Sequence, residues 1–366
     1  MYLNILTFIF SIMSLLSEIS KRDMDLFCEY LECDVRNSSS SSDVRLVADF
    51  TEYNPLHNGH YHCMKVAKSQ VKDALFVAVV PGLFERSGRG IPYILPRQKR
   101  AEIAVSLGAD VVVEGPPMGL MGSGQYSLCL CKMFKALNTD FIPRGYNPHE
   151  GFDEILKRIN QGHHVAPKPY KIVDKTTGEI LLKSKLKEDN YVITSFSNSL
   201  SKIGFDYTDK FIFVERIGGV SGTRIREAVM SGEFESVKDM MPDKTIEVLT
   251  RDKDSIIFNK RLESVIVDNA NNMDLSKLNL LNDKMALEIE SKRPFDDLNE
   301  VLNAIPQGFS THFRQRILSI LENPIEKKDM SLFIERYPSQ IRVLKYKNDD
   351  VLEVFKEKVS TENISQ

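Results

Sequence analysis

The sequence contains no tryptophan, few cysteines and no excess of charge of either sign. Its 48 Lys and Arg against 51 Asp and Glu leave a net charge of −3, so no global positive field attracts nucleic acid and any RNA contact must be local. We expect no DNA partner. The five cysteines fit neither a disulfide framework nor a C-x2-C zinc pair, which favours a reducing, cytoplasmic compartment. Cys63, Cys129 and Cys131 are expected to be buried thiols.

A long apolar run is also missing. Residues 3–16 are uncharged but too few for the roughly 20 residues of a membrane-spanning helix, and no positive charge precedes them as in a signal peptide. We expect no membrane partner and interpret the run as an appended helix, or as the result of a start codon assigned too early, with Met24 as the alternative start. The serine run Ser38–Ser42 predicts a flexible linker, so we expect residues 1–43 to be separate from the folded enzyme and dispensable.

What the sequence does contain is a soluble globular composition, with 42% hydrophobic residues, and a length of 366 residues that predicts about two domains. From Val44 onward, apolar β-branched runs alternate with amphipathic stretches, which predicts a parallel sheet covered by helices. Ligands of such sheets bind at the carboxyl ends of the strands. Strands are predicted at 44–50, 74–80, 109–113, 140–143 and 210–214, helices at 60–69, 97–107 and 127–137, and a polar hairpin at 171–183.

Beyond Leu249 the strand patterns fade, and windows at 277–289, 295–304 and 311–321 predict helices. We expect three parts: an extension with its linker (1–43), an α/β domain (44–249) and a mostly α-helical domain (250–366).

Residues 251–366 hold 18 Lys and Arg against 20 Asp and Glu, so this part is not basic overall. Its local basic clusters are typical of solvated helix faces, with phosphate binding as the alternative: Lys292 with Arg293, Arg314 with Arg316, Lys327 with Lys328, and Arg342 with Lys345 and Lys347.

A loop rich in hydrogen-bond donors follows the first predicted strand and precedes a helix: Thr51-Glu52-Tyr53-Asn54-Pro55-Leu56-His57-Asn58-Gly59-His60. A helix N-terminus presents free N–H groups and partial positive charge to phosphate. His57 and His60 would add two donors, and Gly59 lets the backbone approach a ligand closely. With His62 nearby, the histidines could instead form a metal site or simply lie on the surface.

A second motif follows the last predicted strand: Val220-Ser221-Gly222-Thr223-Arg224-Ile225-Arg226. Ser221 or Thr223 can cap the helix that begins here, while a hydroxyl, backbone N–H groups and Arg226 face phosphates. By itself, S-x-T before a helix indicates only a good N-cap.

Taken together, the H-x-G-H and S-x-T-x-x-R motifs resemble the nucleotidyltransferase superfamily. Further matching segments resemble the tRNA(Met) cytidine acetate ligase family over roughly residues 45–347, namely 52–60, 81–88, 100–102, 108–114 and 337–346. The resemblance implies a Rossmann-like nucleotidyltransferase domain, a helical C-terminal domain, and an ATP-dependent ligase that adenylates acetate and transfers the acyl group to a tRNA cytidine N4. If tRNA is bound, we expect Arg314 and Arg316 to contact it in the other domain, away from the ATP site.

The resemblance also implies site residues. We expect His57, His60 and Arg226 to act in catalysis, and the following residues to bind ATP: Thr51, Asn54, Gly59, Gly145, Asn198, Arg216, Ser221 and Thr223. Magnesium is expected on the phosphates, held by phosphate oxygens and water, without a dedicated protein metal site. The sequence departs from the family at Pro81, 114–116, 144–146 and Gly222, which concerns the acyl group and acceptor more than the ATP chemistry.

The expected chemistry needs donors more than bases. A carboxylate that attacks the α-phosphorus is already a nucleophile, so catalysis reduces to positioning and charge neutralisation. Two other functions remain open: a small-molecule nucleotidyltransferase whose C-terminal helices mediate dimerisation, and a catalytically silent nucleotide- or RNA-binding module.

Overall fold

The structure is a computed structural model that describes residues 2–33, 42–184, 186–359 and 364–365, with side chains described from Ser14 onward. Its helices are α1 Tyr2–Glu32, α2 Asn58–Gln70, α3 Arg97–Ser106, α4 Ser123–Ala136, α5 Phe152–Asn160, α6 Glu188–Lys202, α7 Gly222–Ser231, α8 Asp243–Arg251, α9 Glu263–Asn272, α10 Asp283–Glu290, α11 Leu298–Ala304, α12 Thr311–Glu322, α13 Lys327–Arg336 and α14 Asp349–Val359. Its strands are β1 Leu46–Phe50, β2 Leu75–Pro81, β3 Val111–Gly115, β4 Ile142–Tyr146, β5 Val165–Lys168, β6 Lys171–Asp174, β7 Ile180–Leu182, β8 Phe211–Glu215, β9 Ile341–Tyr346 and β10 Ile364–Ser365.

A parallel sheet forms the centre of the molecule. β1 pairs with β2, β2 with β3, and β4 with β8, all in parallel. The two groups meet where the Ala48 N–H donates to the Phe141 carbonyl at 2.9 Å, next to the Val47–Phe141 bridge. The resulting order, β8-β4-β1-β2-β3, reverses its direction of winding between β1 and β4, and such a switch point is where ligands bind in open α/β sheets. The predicted α/β fold with a parallel-rich sheet is confirmed.

Both faces of this sheet are covered, as the continuous apolar runs of β1 to β3 require. One face packs against α1, α4, α6 and the C-terminal helices, and the other against α2, α3, α7 and α8. Cys63, Cys129 and Cys131 are buried in these layers, as predicted. The predicted hairpin is also present as β6 and β7, with Gly178 in a left-handed turn between them (φ 82°).

The C-terminal region is mostly helical, as predicted, but it also contributes two strands to the sheet. β9 pairs antiparallel with β3, and β10 pairs parallel with β9. The sequence did not predict β9, because a strand of six residues with only Ile341 and Val343 buried gives a weak alternating pattern. β9 comes from the predicted second domain, after the proposed boundary at 249/250, but it extends the sheet of the first domain. The domain limits remain a prediction.

The helix α1 is packed into the molecule. The carboxylate of Asp23 is fully buried and accepts hydrogen bonds from the Arg97 guanidinium at 2.7 and 2.8 Å and from the Phe84 N–H at 2.6 Å. Phe27 stacks on Phe333 of α13 with ring centroids 4.9 Å apart. These contacts contradict the expectation that the N-terminal segment is separate from the folded enzyme.

Two further N-terminal predictions concern the membrane and the linker. No helix in the described part of the chain is both long and apolar enough to cross a membrane. Most of the predicted serine linker, Ser38–Ser41, lies outside the described residues.

Candidate active site

A cavity of about 790 Å³ opens at the carboxyl ends of β1, β4 and β8. Thr51 follows β1, Gly145 lies near the end of β4, and Arg216 follows β8, and all three line the cavity. This is the position that the switch point between β1 and β4 predicts for a ligand. Ser310, the N-cap of α12, and His312 and Arg316 on α12 also line it.

The structure brings together all but one of the residues that the sequence assigned to the site. Those lining the cavity are Thr51, Asn54, His57, Gly59, His60, Gly145, Arg216, Ser221, Thr223 and Arg226. The exception is Asn198, which is not part of the cavity wall; its Oδ1 lies 2.9 Å from Nε2 of His164. Asn54 also has a structural contact, because its side-chain oxygen accepts a hydrogen bond from the Ile94 N–H at 2.7 Å.

His57 and His60 form a stacked pair at the start of α2. Their ring centroids are 3.7 Å apart and their planes differ by 13°. The His57 N–H lies 3.4 Å from Nδ1 of His60, which assigns Nδ1 as the acceptor and places the His60 proton on Nε2. Both imidazoles lie at the N-terminus of α2, next to the free backbone N–H groups of its first turn.

Both imidazoles are neutral at pH 7. Burial, followed by the nearby positive charge of Arg216, lowers the pKa of His57 to about 4. Burial also lowers the pKa of His60 well below its ordinary value, followed by the effects of His57 and Arg216. A neutral imidazole donates one N–H and keeps one acceptor, so this pair supplies hydrogen bonds rather than positive charge.

The His57 ring lies against two glycines, in space that a side chain at either position would occupy or narrow. A Cβ on Gly59 would approach Cε1 and Nδ1 of His57 at 3.1 and 3.2 Å, and a Cβ on Gly222 would lie 3.5 Å from its Nε2. The H-x-G-H glycine is therefore needed for the placement of the histidine two residues before it.

The N-terminus of α7 faces the same cavity. Ser221 is its N-cap, since Oγ accepts a hydrogen bond from the Arg224 N–H at 3.3 Å. Arg226 donates to the Asn54 carbonyl at 3.1 Å and to Oγ1 of Thr223 at 2.9 Å. The arginine thereby joins the two motif loops, and the N–H groups of two helix starts converge on one space.

Arg144 is a cavity residue that the sequence prediction missed. It lies on β4, donates to the Phe50 carbonyl at 2.7 Å and is 3.8 Å from the Asp49 carboxylate. Its side chain is 13% exposed, and its Nε is buried without a hydrogen-bond partner among the described residues. Its position beside Gly145, at the carboxyl end of a predicted strand, was the signal that could have identified it.

The cavity wall also contains carboxylates that were not predicted: Asp49, Glu52, Glu188 and Asp189. Glu188 pairs with Arg89 at 2.7 Å, and Oε1 of Glu52 accepts a hydrogen bond from the Gly88 N–H at 2.6 Å. Asp189 forms an ion pair with Arg216. The site therefore contains acceptors as well as donors. Glu188, Glu52 and Asp189 are each bound to a donor of the protein.

Asp49 is the most deeply buried of the four. Burial raises the pKa of its carboxyl to about 7, although the positive charge of Arg144 acts in the opposite direction. At neutral pH this group therefore exists in both protonation states.

Among the described residues, no group of three or more His, Cys, Asp or Glu side chains is arranged to hold a metal ion. The described side chains thus supply no ready-made ligand set for magnesium.

The basic pair at 314 and 316 separates in the structure. Arg314 donates to the Leu302 carbonyl at 2.5 Å within the helical region. Arg316 lines the cavity and donates to the Met121 carbonyl at 3.2 Å. The expectation that both lie away from the ATP site, in another domain, is wrong for Arg316.

The chain is similar to several known proteins. The model of the family described as HIGH Nucleotidyl Transferase matches residues 45–141, and that described as Cytidyltransferase-related C-terminal region matches residues 147–345. An uncharacterized protein of Methanocaldococcus jannaschii is 44% identical over 354 residues, 95% of this chain and 98% of the relative. A tRNA(Met) cytidine acetate ligase of Fervidobacterium nodosum is 25% identical over 344 residues, 82% and 78% of the two chains. The crystal structure of Thermotoga maritima TmcAL bound with alpha-thio ATP has the same fold, with a TM-score of 0.71 and 20% identity over 88% of this chain and 85% of that one.

Proposed function

Because the chain belongs to the HIGH nucleotidyl transferase family, we propose that it is an ATP-dependent ligase that adenylates acetate and transfers the acyl group to N4 of a tRNA cytidine. The observation that carries this proposal is the convergence of His57, His60, Arg216 and Arg226 with the N-termini of α2 and α7 in one cavity. Fixed donors and arginines of this kind suit a triphosphate. The names of the relatives that are tRNA(Met) cytidine acetate ligases, and the ATP analogue in the similar structure, support the choice of substrates.

In the first step, a carboxylate oxygen of the acid forms a bond to the α-phosphorus of ATP, and the bond from that phosphorus to pyrophosphate breaks. Acetate is ionised at neutral pH, so the step requires no general base. The neutral His57 and His60 donate hydrogen bonds to oxygens of the reacting phosphate, where fixed donors stabilise the charge of the transition state. Arg226 and the start of α7 hold the departing pyrophosphate.

The contacts around the motif loops hold these donors in position. Arg226 bonds the Asn54 carbonyl of the first loop, and Arg100 donates to the Glu52 carbonyl at 2.7 Å. Arg144 is fixed by the Phe50 carbonyl. Because these bonds lie within the protein and hold the donors in fixed positions, little reorganisation is needed when charge develops.

In the second step, the cytidine N4 amine attacks the acyl carbon of the adenylate. The new N–C bond forms, the C–O bond to AMP breaks, and the amine releases one proton. ATP is expected to carry magnesium on its phosphates, and no step here depends on a protein ligand for that ion.

Pyrophosphate release from ATP and magnesium, measured across a panel of small acids with and without bulk tRNA, tests the proposal. We expect release to require acetate and to be lost in Arg226→Gln. Arg224→Gln, an exposed position on the same helix that does not line the cavity, is the matched control. Release that requires a phosphorylated small molecule instead of an acid would identify a small-molecule nucleotidyltransferase, and ATP binding without turnover would identify a silent binding module.

A further inference from the structure

The mouth of the catalytic cavity has an exposed aromatic surface beside it. Ser310 and His312 line the cavity, and Phe309 directly precedes them with 41% of its surface exposed. The ring of Phe309 lies 5.0 Å from that of Phe313, at 32° to it. Phe309 is exposed and Phe313 is partly buried against the core, so the Phe309 ring is available for stacking against a base.

A positive charge lies next to these rings. The guanidinium carbon of Arg316 is 5.7 Å from the Phe313 ring centroid, and its Nε is buried without a hydrogen-bond partner in the described structure. No carboxylate of the described residues forms an ion pair with Arg316. The charge is therefore not neutralised by the protein, and it faces the cavity.

Three other basic residues that the sequence grouped as RNA candidates bond to backbone carbonyls and do not line the cavity. Arg314, Lys292 and Lys327 donate to the carbonyls of Leu302, Ala304 and Ser276, respectively. Such bonds fix helices and loops to one another. Arg316 also donates to a carbonyl, that of Met121, but it differs from these three in lining the cavity and in lying over the Phe313 ring.

We propose that Phe309, Phe313, His312 and Arg316 form the entrance for a single-stranded RNA acceptor, in which Phe309 stacks on a base next to the modified cytidine and Arg316 contacts a backbone phosphate. The inference rests on the proposed function, since it requires the acceptor to be RNA. A cytidine in a base pair uses N4 as a hydrogen-bond donor, so it must be unpaired before N4 can attack. Proteins recognise unpaired RNA bases through aromatic stacking, with arginine on phosphate oxygens. A small acid alone would need no stacking surface at the mouth.

The stacking role is tested by tRNA binding to the full chain, with three substitutions at one position. Phe309→Ala and Phe309→Leu are expected to weaken the affinity for bulk tRNA about tenfold, whereas Phe309→Tyr keeps it, because only an aromatic ring stacks on a base. Leu287→Ala, at a residue of α10 that is 67% exposed, is the control for loss of an exposed apolar side chain. An unstructured oligocytidylate is expected to show the same order of affinities.

The phosphate contact is tested by the salt dependence of the same binding. Arg316→Gln should reduce the slope of log affinity against log salt by about one, whereas Lys328→Gln, which removes an exposed charge on α13, should not. Melting temperatures of all variants identify any that fail to fold.

Several results would overturn the inference. One is unchanged tRNA affinity in both Phe309→Ala and Arg316→Gln. Another is a raised KM for the acid in Arg316→Gln with an unchanged salt slope, which would assign Arg316 to the acid. Acetate-dependent exchange of pyrophosphate into ATP by a wild-type protein that binds no RNA would also refute the entrance while leaving the adenylation intact. Failure of that exchange with every acid would instead refute the proposed function.

Discussion

The imidazole of His57 lies face to face with that of His60, 3.7 Å between ring centroids, at the start of the helix that follows the first strand of the sheet. Both rings are neutral because burial and nearby arginines lower their pKa values. A stacked neutral pair keeps N–H groups in fixed directions and avoids the repulsion that two imidazolium ions at this distance would have.

Replacing His60 by Ala is expected to reduce acid-dependent pyrophosphate release about 100- to 1000-fold, because one preorganised donor to the transition state is lost. The melting temperature should change little. His62→Ala is the control, since His62 is on the same helix but does not line the cavity. If the activity and the melting temperature of His60→Ala fall together, the histidine is structural.

Asp49 should make stability depend on pH. Its pKa is raised from 3.8 to about 7, so between these values the native state holds a proton that the unfolded state releases. The free energy of unfolding therefore falls as pH rises from about 4 to about 7 through this group, by on the order of a few kcal/mol. Asp49→Asn removes this effect. The melting temperature of the variant minus that of wild type should therefore be larger at about pH 8 than at about pH 4.

The comparison with wild type isolates Asp49, because both proteins retain His57, whose lowered pKa acts in the opposite direction below its ordinary value of 6.5. Asp268→Asn, at an exposed position of α9, is the control and should show no such trend. A melting-temperature difference that is the same at both pH values would show that Asp49 is ionised in the native state throughout.

The contact between α1 and the sheet should be important for stability. Asp23→Ala removes one of the three carboxylates that pair with the buried Arg97 guanidinium, and it leaves the buried Phe84 N–H without its acceptor. Losing a partner of a buried ion pair typically costs on the order of 3 kcal/mol. Asp25→Ala, two residues away on the exposed side of α1, should cost about 0.5 kcal/mol or less. Denaturant unfolding measures the free energy of unfolding of both variants. If the two are equally stable, the Asp23–Arg97 contact does not stabilise the fold.

The parts of the fold that the sequence predicted well are those determined by local patterns. The apolar runs of β1, β2 and β3 are buried on both faces, and such runs are recognisable without knowing their neighbours. The two motif loops were located correctly for the same reason, because each directly follows a strand and precedes a helix. Their convergence then follows from the parallel arrangement of the strands.

The parts that were missed depend on contacts between distant segments. Asp23 and Arg97 are 74 residues apart, and an acidic residue in an amphipathic helix gives no sign of a buried partner. Arg316 reaches the cavity because α12 packs across its mouth, which no pattern within α12 indicates. The place of Asn198 beside His164 likewise depends on the packing of α6 and could not be read from the motif.

A substitution at Gly59 should separate helix propensity from site geometry. Gly59→Ala favours the helix by up to about 1 kcal/mol in intrinsic propensity, yet its Cβ would approach the His57 ring at 3.1 Å and displace it. We expect the melting temperature to stay the same or rise while acid-dependent pyrophosphate release falls at least about tenfold, because the displaced ring loses its alignment with the phosphate. Gly124→Ala is the matched control, since Gly124 is also the second residue of a helix and a Cβ there meets nothing within 4 Å. Full activity in Gly59→Ala would mean that the His57 ring can move without consequence, and its role as a fixed donor would have to be abandoned.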